Sequence, residues 1–187
     1  MTTPRIDPLS APLPAGIADR LRRLLPQGMP APQIFLTVAR NEGLFEHLVD
    51  SGLLGPTGLL DRGALAPALR ELVILRTCTA SRNAYEFSLH EQTISQRTGL
   101  TPQQIDDLRQ TALNETLWSP AERAVAALVD GLVQRLDVSD EAFEQARRHF
   151  DDATLIEITQ LVGLYTGVAM LVALARPRFD RYRAAAG

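Results

Sequence analysis

No stretch of this 187-residue sequence sustains an apolar–polar alternation with a period of two, while apolar residues recur three and four apart along much of it. That spacing places apolar side chains on one face of a helix and on both faces of a strand, so the chain is expected to be all-α without a substantial sheet. Composition points the same way. Aromatic residues are only 5% of a chain that is 45% hydrophobic, and strands favour aromatic and β-branched residues whereas leucine and alanine favour helices.

Start and stop signals divide the chain. Pro4, Pro8, Pro12 and Pro14 mark residues 1–14 as an extended arm, and residues 15–187 are expected to form a single helical domain. The length also admits two small helical halves packed together. Ile17, Leu21, Leu24 and Leu25 suggest a first helix ending at Pro26. A second follows Pro32 and breaks near Asn41, and the glycines at 52, 55, 58 and 63 mark a turn-rich connection. Pro67 suits the first turn of a helix reaching about Ala80, and a partner helix is expected from Ala84 to Arg97, stopped by Gly99. Thr101 with Pro102 and Gln104, and Ser119 with Pro120 and Glu122, have capping-box layout. Ser139 should cap another helix, and the acids Asp151 and Asp152 open the last one at its positive dipole end.

Charge and cysteine content exclude several partners. A net charge of −3 lacks the basic footprint of nucleic-acid binding, and Arg176, Arg178, Arg181 and Arg183 read as helix-end charge. Cys78 is the single cysteine, so no disulfide forms within the chain and a reducing, cytoplasmic setting is the default. The first residues carry no secretory pattern. The most apolar stretch, residues 161–175, is short for a membrane span and is interrupted by Gly163, Thr166 and Gly167, so it reads as a core helix. No cluster has metal-ligand spacing and no glycine-rich loop suits a nucleotide. No metal or cofactor is expected.

The segment from Arg70 to His90 is the place for chemistry. Asn83, Glu86 and His90 are three and four apart and share a face if their helix starts in time. A carboxylate one turn before an imidazole can orient the ring and raise its pKa, and the same spacing is common in surface ion pairs. Glu71 stands among Leu69, Leu72, Val73, Ile74 and Leu75. It is either a desolvated acid able to hold a proton or the partner of Arg70 or Arg76. Cys78, seven residues on, shares the face of Glu71 and is either a thiol nucleophile or packing.

These residues resemble the carboxymuconolactone decarboxylase family, whose superfamily includes the alkylhydroperoxidase D proteins. The resemblance lies in Leu69–Arg76 followed by Tyr85–His90, over about residues 65–107. It implies an alkylhydroperoxidase D-like helical bundle, assembled as a trimer or hexamer with sites near subunit interfaces. The peroxidase branch carries Cys-x-x-Cys-x-x-x-His. Aligning His90 with that histidine puts Asn83 and Glu86 in the cysteine positions, so thiol–disulfide chemistry lacks both sulfurs. The decarboxylase branch implies cofactor-free proton transfer on a small carboxylated or lactone-like substrate. In that reading His90 moves the proton, Glu86 orients it, Glu71 relays it and Tyr85 donates to a developing enolate. Arg76 or Arg82 holds a substrate carboxylate, with Asn83 and Cys78 lining the substrate site. The competing readings are a peroxidase using Cys78 and a non-catalytic helical oligomer that binds a ligand or partner.

Overall fold

The computed structural model describes residues 3–182, so Arg183 of the basic tail lies outside the described residues. The described chain is helical apart from one two-stranded hairpin, and it forms two compact units. Residues 3–61 with 170–182 form one, and Arg62–Ala169 form the other.

The first unit holds α1 (Ala15–Leu24), α2 (Gln33–Val38) and α3 (Glu42–Asp50), followed by β1 (Leu54–Gly55) and β2 (Gly58–Leu59) in antiparallel register. Pro14 and Pro32 stand immediately before α1 and α2, and the Asn41 side chain caps α3 by accepting from the Leu44 amide at 3.1 Å. Ile17, Leu21, Leu24, Phe45 and Leu54 form the core, and Leu9 and Leu13 of the expected arm pack against it.

The second unit begins with α4 (Pro67–Ala80), whose bounds match the sequence reading. Nine consecutive residues, Arg70 to Cys78, are buried, so this helix is surrounded rather than amphipathic. Its end is a Schellman turn: Asn83 N–H donates to the Cys78 carbonyl at 2.7 Å and Arg82 N–H to the Thr79 carbonyl at 3.1 Å. Arg82 there takes the left-handed conformation, φ +58°, that usually falls to glycine.

Next come α5 (Ala84–Thr93), α6 (Pro102–Asp107), α7 (Pro120–Arg135), α8 (Asp140–Arg147) and α9 (Asp152–Ala175). Both anticipated capping boxes form, at Thr101 and Ser119, and Ser139 and Asp151 cap α8 and α9. Two expectations change. α5 stops at Thr93, not Arg97, and residues Ser95–Arg97 tighten into a 3-10 turn before Gly99. α9 runs for 24 residues, so length alone does not separate it from a membrane span. The part of it in this unit, residues 152–169, buries one face through Leu155, Ile158, Leu161, Val162 and Tyr165 and leaves Ile156 and Gly163 exposed, so it is a one-sided helix rather than an enclosed core helix.

Candidate active site

Glu71, two helical turns short of Cys78 on α4, meets His90 near the end of α5. His90 Nδ1 lies 3.0 Å and 3.2 Å from the two oxygens of the Glu71 carboxylate. Ser95, delivered by the 3-10 turn, donates its hydroxyl to Glu71 Oε1 at 2.5 Å. On the other side of the ring, the Tyr165 hydroxyl from α9 is 3.2 Å from Nε2, and Glu86 Oε1 is 3.6 Å from the same nitrogen. The Tyr165 and His90 rings meet edge to face, 5.4 Å between centroids. Glu71, His90 and Tyr165 are only 1%, 2% and 2% exposed, and Arg70 and Glu86 at 8% and 6% are the most open members of the group.

Burial and charge oppose one another here. Burial pushes the Glu71 carboxyl up, but the His90 charge and hydrogen bond, the Ser95 hydroxyl and Arg70 together hold it below its ordinary range. Burial disfavours a charged His90, yet Glu71 and Glu86 outweigh burial and the opposing Arg70, and its pKa is raised. Burial keeps the Tyr165 phenol protonated well above its usual range. An ionised carboxylate only accepts hydrogen bonds, so Nδ1 carries a proton and Nε2 is the nitrogen left to exchange one.

The structure brings Glu71, Glu86 and His90 together and separates other candidates from them. Asn83 is not part of a helical face; it is the cap of α5, its side-chain oxygen accepting from the Glu86 amide at 3.2 Å, with its Nδ2 buried and unpartnered. Cys78 is buried, and burial with Glu86 and Glu71 pushes its thiol well up, so the attacking thiolate is disfavoured. Tyr85 is buried five residues before His90, about 140° around the helix, so the phenol at the imidazole is that of Tyr165. Arg76 is directed elsewhere. Its Nε and Nη2 pair side-on with Asp130 at 2.7 and 2.5 Å, and its Nη1 and Nη2 donate to the carbonyls of Gln110 and Thr111. Arg82 is exposed at the turn before the Asn83 cap.

Sequence reasoning passed over Tyr165 and Ser95, and named Arg70 only as a possible partner of Glu71, whose charge it does help to stabilise. Tyr165 had a visible signal, a phenol between Leu161, Val162, Leu164 and Val168 in the most apolar helix, where a buried hydroxyl needs a partner. Ser95 had none beyond its residue type.

Comparison with known proteins bears on the sequence pattern and the fold. The sequence pattern of the carboxymuconolactone decarboxylase family matches residues 56–130, a wider span than the resemblance read from the motif. No curated protein matches the chain. Among solved structures, the fold is similar to the alkylhydroperoxidase AhpD core of an uncharacterized peroxidase-related protein from Ralstonia eutropha JMP134. That match has a TM-score of 0.74 at 20% identity, covering 94% of this chain and 93% of the other. A peroxidase-related protein from Silicibacter sp. TM1040 matches with a TM-score of 0.73 at 16% identity, covering 96% and 95%. The debrominase Bmp8, solved as a cysteine-to-alanine variant with 2,3,4-tribromopyrrole, matches with a TM-score of 0.71 at 19% identity, covering 96% and 93%. At these identities the structural likeness concerns the fold. Residues 56–130, which include Glu71 to His90, thus carry the carboxymuconolactone decarboxylase family pattern within an alkylhydroperoxidase D-like fold, without the Cys-x-x-Cys motif.

Proposed function

We propose that this chain is a cofactor-free proton-transfer enzyme of the carboxymuconolactone decarboxylase type, acting on a small carboxylated or lactone-like substrate. The observation that carries this reading is the asymmetry of His90. One ring nitrogen is anchored on a buried carboxylate, and the other faces a phenol and a second carboxylate. A ring held in that way presents Nε2 as a general acid or base of fixed orientation. Glu71 stabilises the imidazolium while it exists, and Glu86 stands beside the nitrogen that gives up or takes the proton.

A substrate carboxylate would find its cation at Arg82 rather than Arg76, because recruiting Arg76 would break four hydrogen bonds. Arg82 occupies a left-handed position where glycine is the low-energy choice. Such strain beside a candidate site supports a role for the side chain.

A thiol-based reading, whether peroxidase or a debrominase like Bmp8, is less well supported. Cys78 is protonated and enclosed, and Asn83 and Glu86 stand in the two motif positions. We infer a homo-oligomer, trimer or hexamer, because α9 exposes Ile156, Gly163, Gly167, Met170 and Leu174 at heptad-like spacing along an apolar helix.

The test is a screen of carboxylated lactones and β-keto acids, run with wild-type protein beside His90→Ala. Turnover by the wild type with a loss of roughly 10²-fold or more in the variant is the expected result. Equal turnover by both proteins removes His90 from the chemistry and overturns the reading.

A further inference from the structure

We propose that Tyr165 is the positioning residue for the proton carried by His90: its hydroxyl donates to Nε2 of the neutral ring and accepts from Nε2–H of the charged one. The activity arm of this inference rests on the proton-transfer reading; its spectroscopic arm does not.

The geometry gives Tyr165 a place that no other described side chain fills. It is the only group within hydrogen-bond distance of Nε2 among the described contacts, at 3.2 Å, since Glu86 Oε1 at 3.6 Å is too far for a good hydrogen bond. The neutral imidazole has Nδ1–H directed at Glu71, so its Nε2 lone pair would be a buried acceptor without Tyr165. Leaving such an acceptor unmade is costly in a site this enclosed. When Nε2 is protonated the same hydroxyl rotates and offers its oxygen. A carboxylate can only accept and an ammonium can only donate, whereas a phenol does both without changing its charge.

That property matters for a proton-transfer step. As the Nε2 proton passes to a substrate atom, the electron pair of the N–H bond stays on Nε2. The Tyr165 O–H turns to donate to that pair, and the phenol neither gains nor loses a proton overall. The edge-to-face packing of the two rings holds the hydroxyl over Nε2 throughout. The groups acting on the imidazole are Glu71 and Arg70 from α4, Glu86 from α5 and Tyr165 from α9. Tyr165 alone among them contacts Nε2 as a neutral donor.

The experiment is nitrogen-15 NMR of the full chain labelled at histidine, recorded across pH, with His90 signals identified by their loss in His90→Gln. Wild type is expected to show a protonated Nδ1 and, in the neutral ring, an Nε2 displaced toward the position of a hydrogen-bonded acceptor. Tyr165→Phe should move Nε2 back toward the unbonded position. Incorporating 3-fluorotyrosine at Tyr165 alone, nearly isosteric and a stronger donor, should move it the other way and protects the test against a Phe variant that folds poorly. With a substrate in hand, Tyr165→Phe should lower kcat roughly tenfold with little change in KM, the scale of one lost hydrogen bond. An Nε2 signal unaltered by both substitutions, or a wild-type ring protonated at Nε2 when neutral, overturns the inference. Spectra as expected with no turnover on any substrate would overturn the proposed activity and leave the role of Tyr165 standing.

Discussion

Arg76 and Asp130 are locked side-on, Nε to Oδ1 at 2.7 Å and Nη2 to Oδ2 at 2.5 Å, and this pair joins α4 to α7 from positions 54 residues apart. The guanidinium is 3% exposed at its side chain and also donates to two loop carbonyls beyond α6. Its planar fork fits all four acceptors at once, which an ammonium cannot do.

Arg76→Ala is therefore expected to act on stability. Removing one partner of a buried pair leaves Asp130 and two carbonyls unsatisfied, a loss of about 3 kcal/mol. Arg76→Lys should recover only a part of it. Chemical denaturation of the three proteins measures this; a stable Arg76→Ala protein with weakened substrate binding would return Arg76 to the site.

The Cys78 thiol should resist modification. Burial holds it protonated, and alkylating reagents attack thiolates. Native protein is expected to react with iodoacetamide far more slowly than unfolded protein, and Cys78→Ala should leave peroxide consumption unchanged. Rapid native labelling, or peroxide turnover that vanishes with Cys78, would revive the thiol reading.

The helices were legible because their signals are local. The capping boxes at Thr101 and Ser119 need only residues three apart, and Pro67 and the Schellman turn bracket α4 within its own sequence. The dyad was legible because Glu71 and His90 sit on consecutive helices of a recognisable pattern. What failed to show required tertiary partners. α5 was expected to continue to Arg97, but past Thr93 the chain tightens and turns the Ser95 hydroxyl onto Glu71, a hydrogen bond across 24 residues. Tyr165 reaches His90 across 75 residues. Arg76 was read as a substrate clamp because nothing near it in sequence announces Asp130 or the carbonyls of Gln110 and Thr111.

The contribution of the Glu71–His90 pair to stability should be greatest in mildly acidic solution. His90 has a native pKa raised above its ordinary 6.5, so its contribution is complete below that pH and is lost as pH rises through the native value. Glu71 is lowered from 4.5, so its contribution is present above that pH and is lost as pH falls through its native value. The destabilisation caused by His90→Gln should thus be largest between these limits and shrink on the alkaline side. Thermal unfolding of both proteins across pH measures the difference; a constant difference would mean the native His90 is not preferentially charged.

If α9 makes the subunit contact, Met170→Asp should break it. Met170 is 69% exposed and lies on the same stripe as Gly163, Gly167 and Leu174. A charge there must be desolvated in an interface but costs little on a free surface. Light scattering should show an oligomer for wild type and a smaller species for the variant. The same mass for both would place the contact elsewhere.

Arg82 offers a trade between stability and binding. In the Schellman turn that ends α4 its φ of +58° puts Cβ against the backbone, a strain of about 1 kcal/mol that glycine does not suffer. The side chain is exposed and makes no described ion pair that would offset this. Arg82→Gly should therefore raise the stability of the chain by about that amount, as relief of a left-handed residue generally does. If the guanidinium holds a substrate carboxylate, the same change should raise KM for carboxylated substrates roughly tenfold while kcat on a neutral lactone stays the same. Arg82→Lys separates the two effects: it keeps the strain and the charge but loses the fork, so its stability should match the wild type and its KM should fall between. A glycine variant that is more stable with unchanged KM would confine Arg82 to the turn and remove the carboxylate clamp from the proposed site.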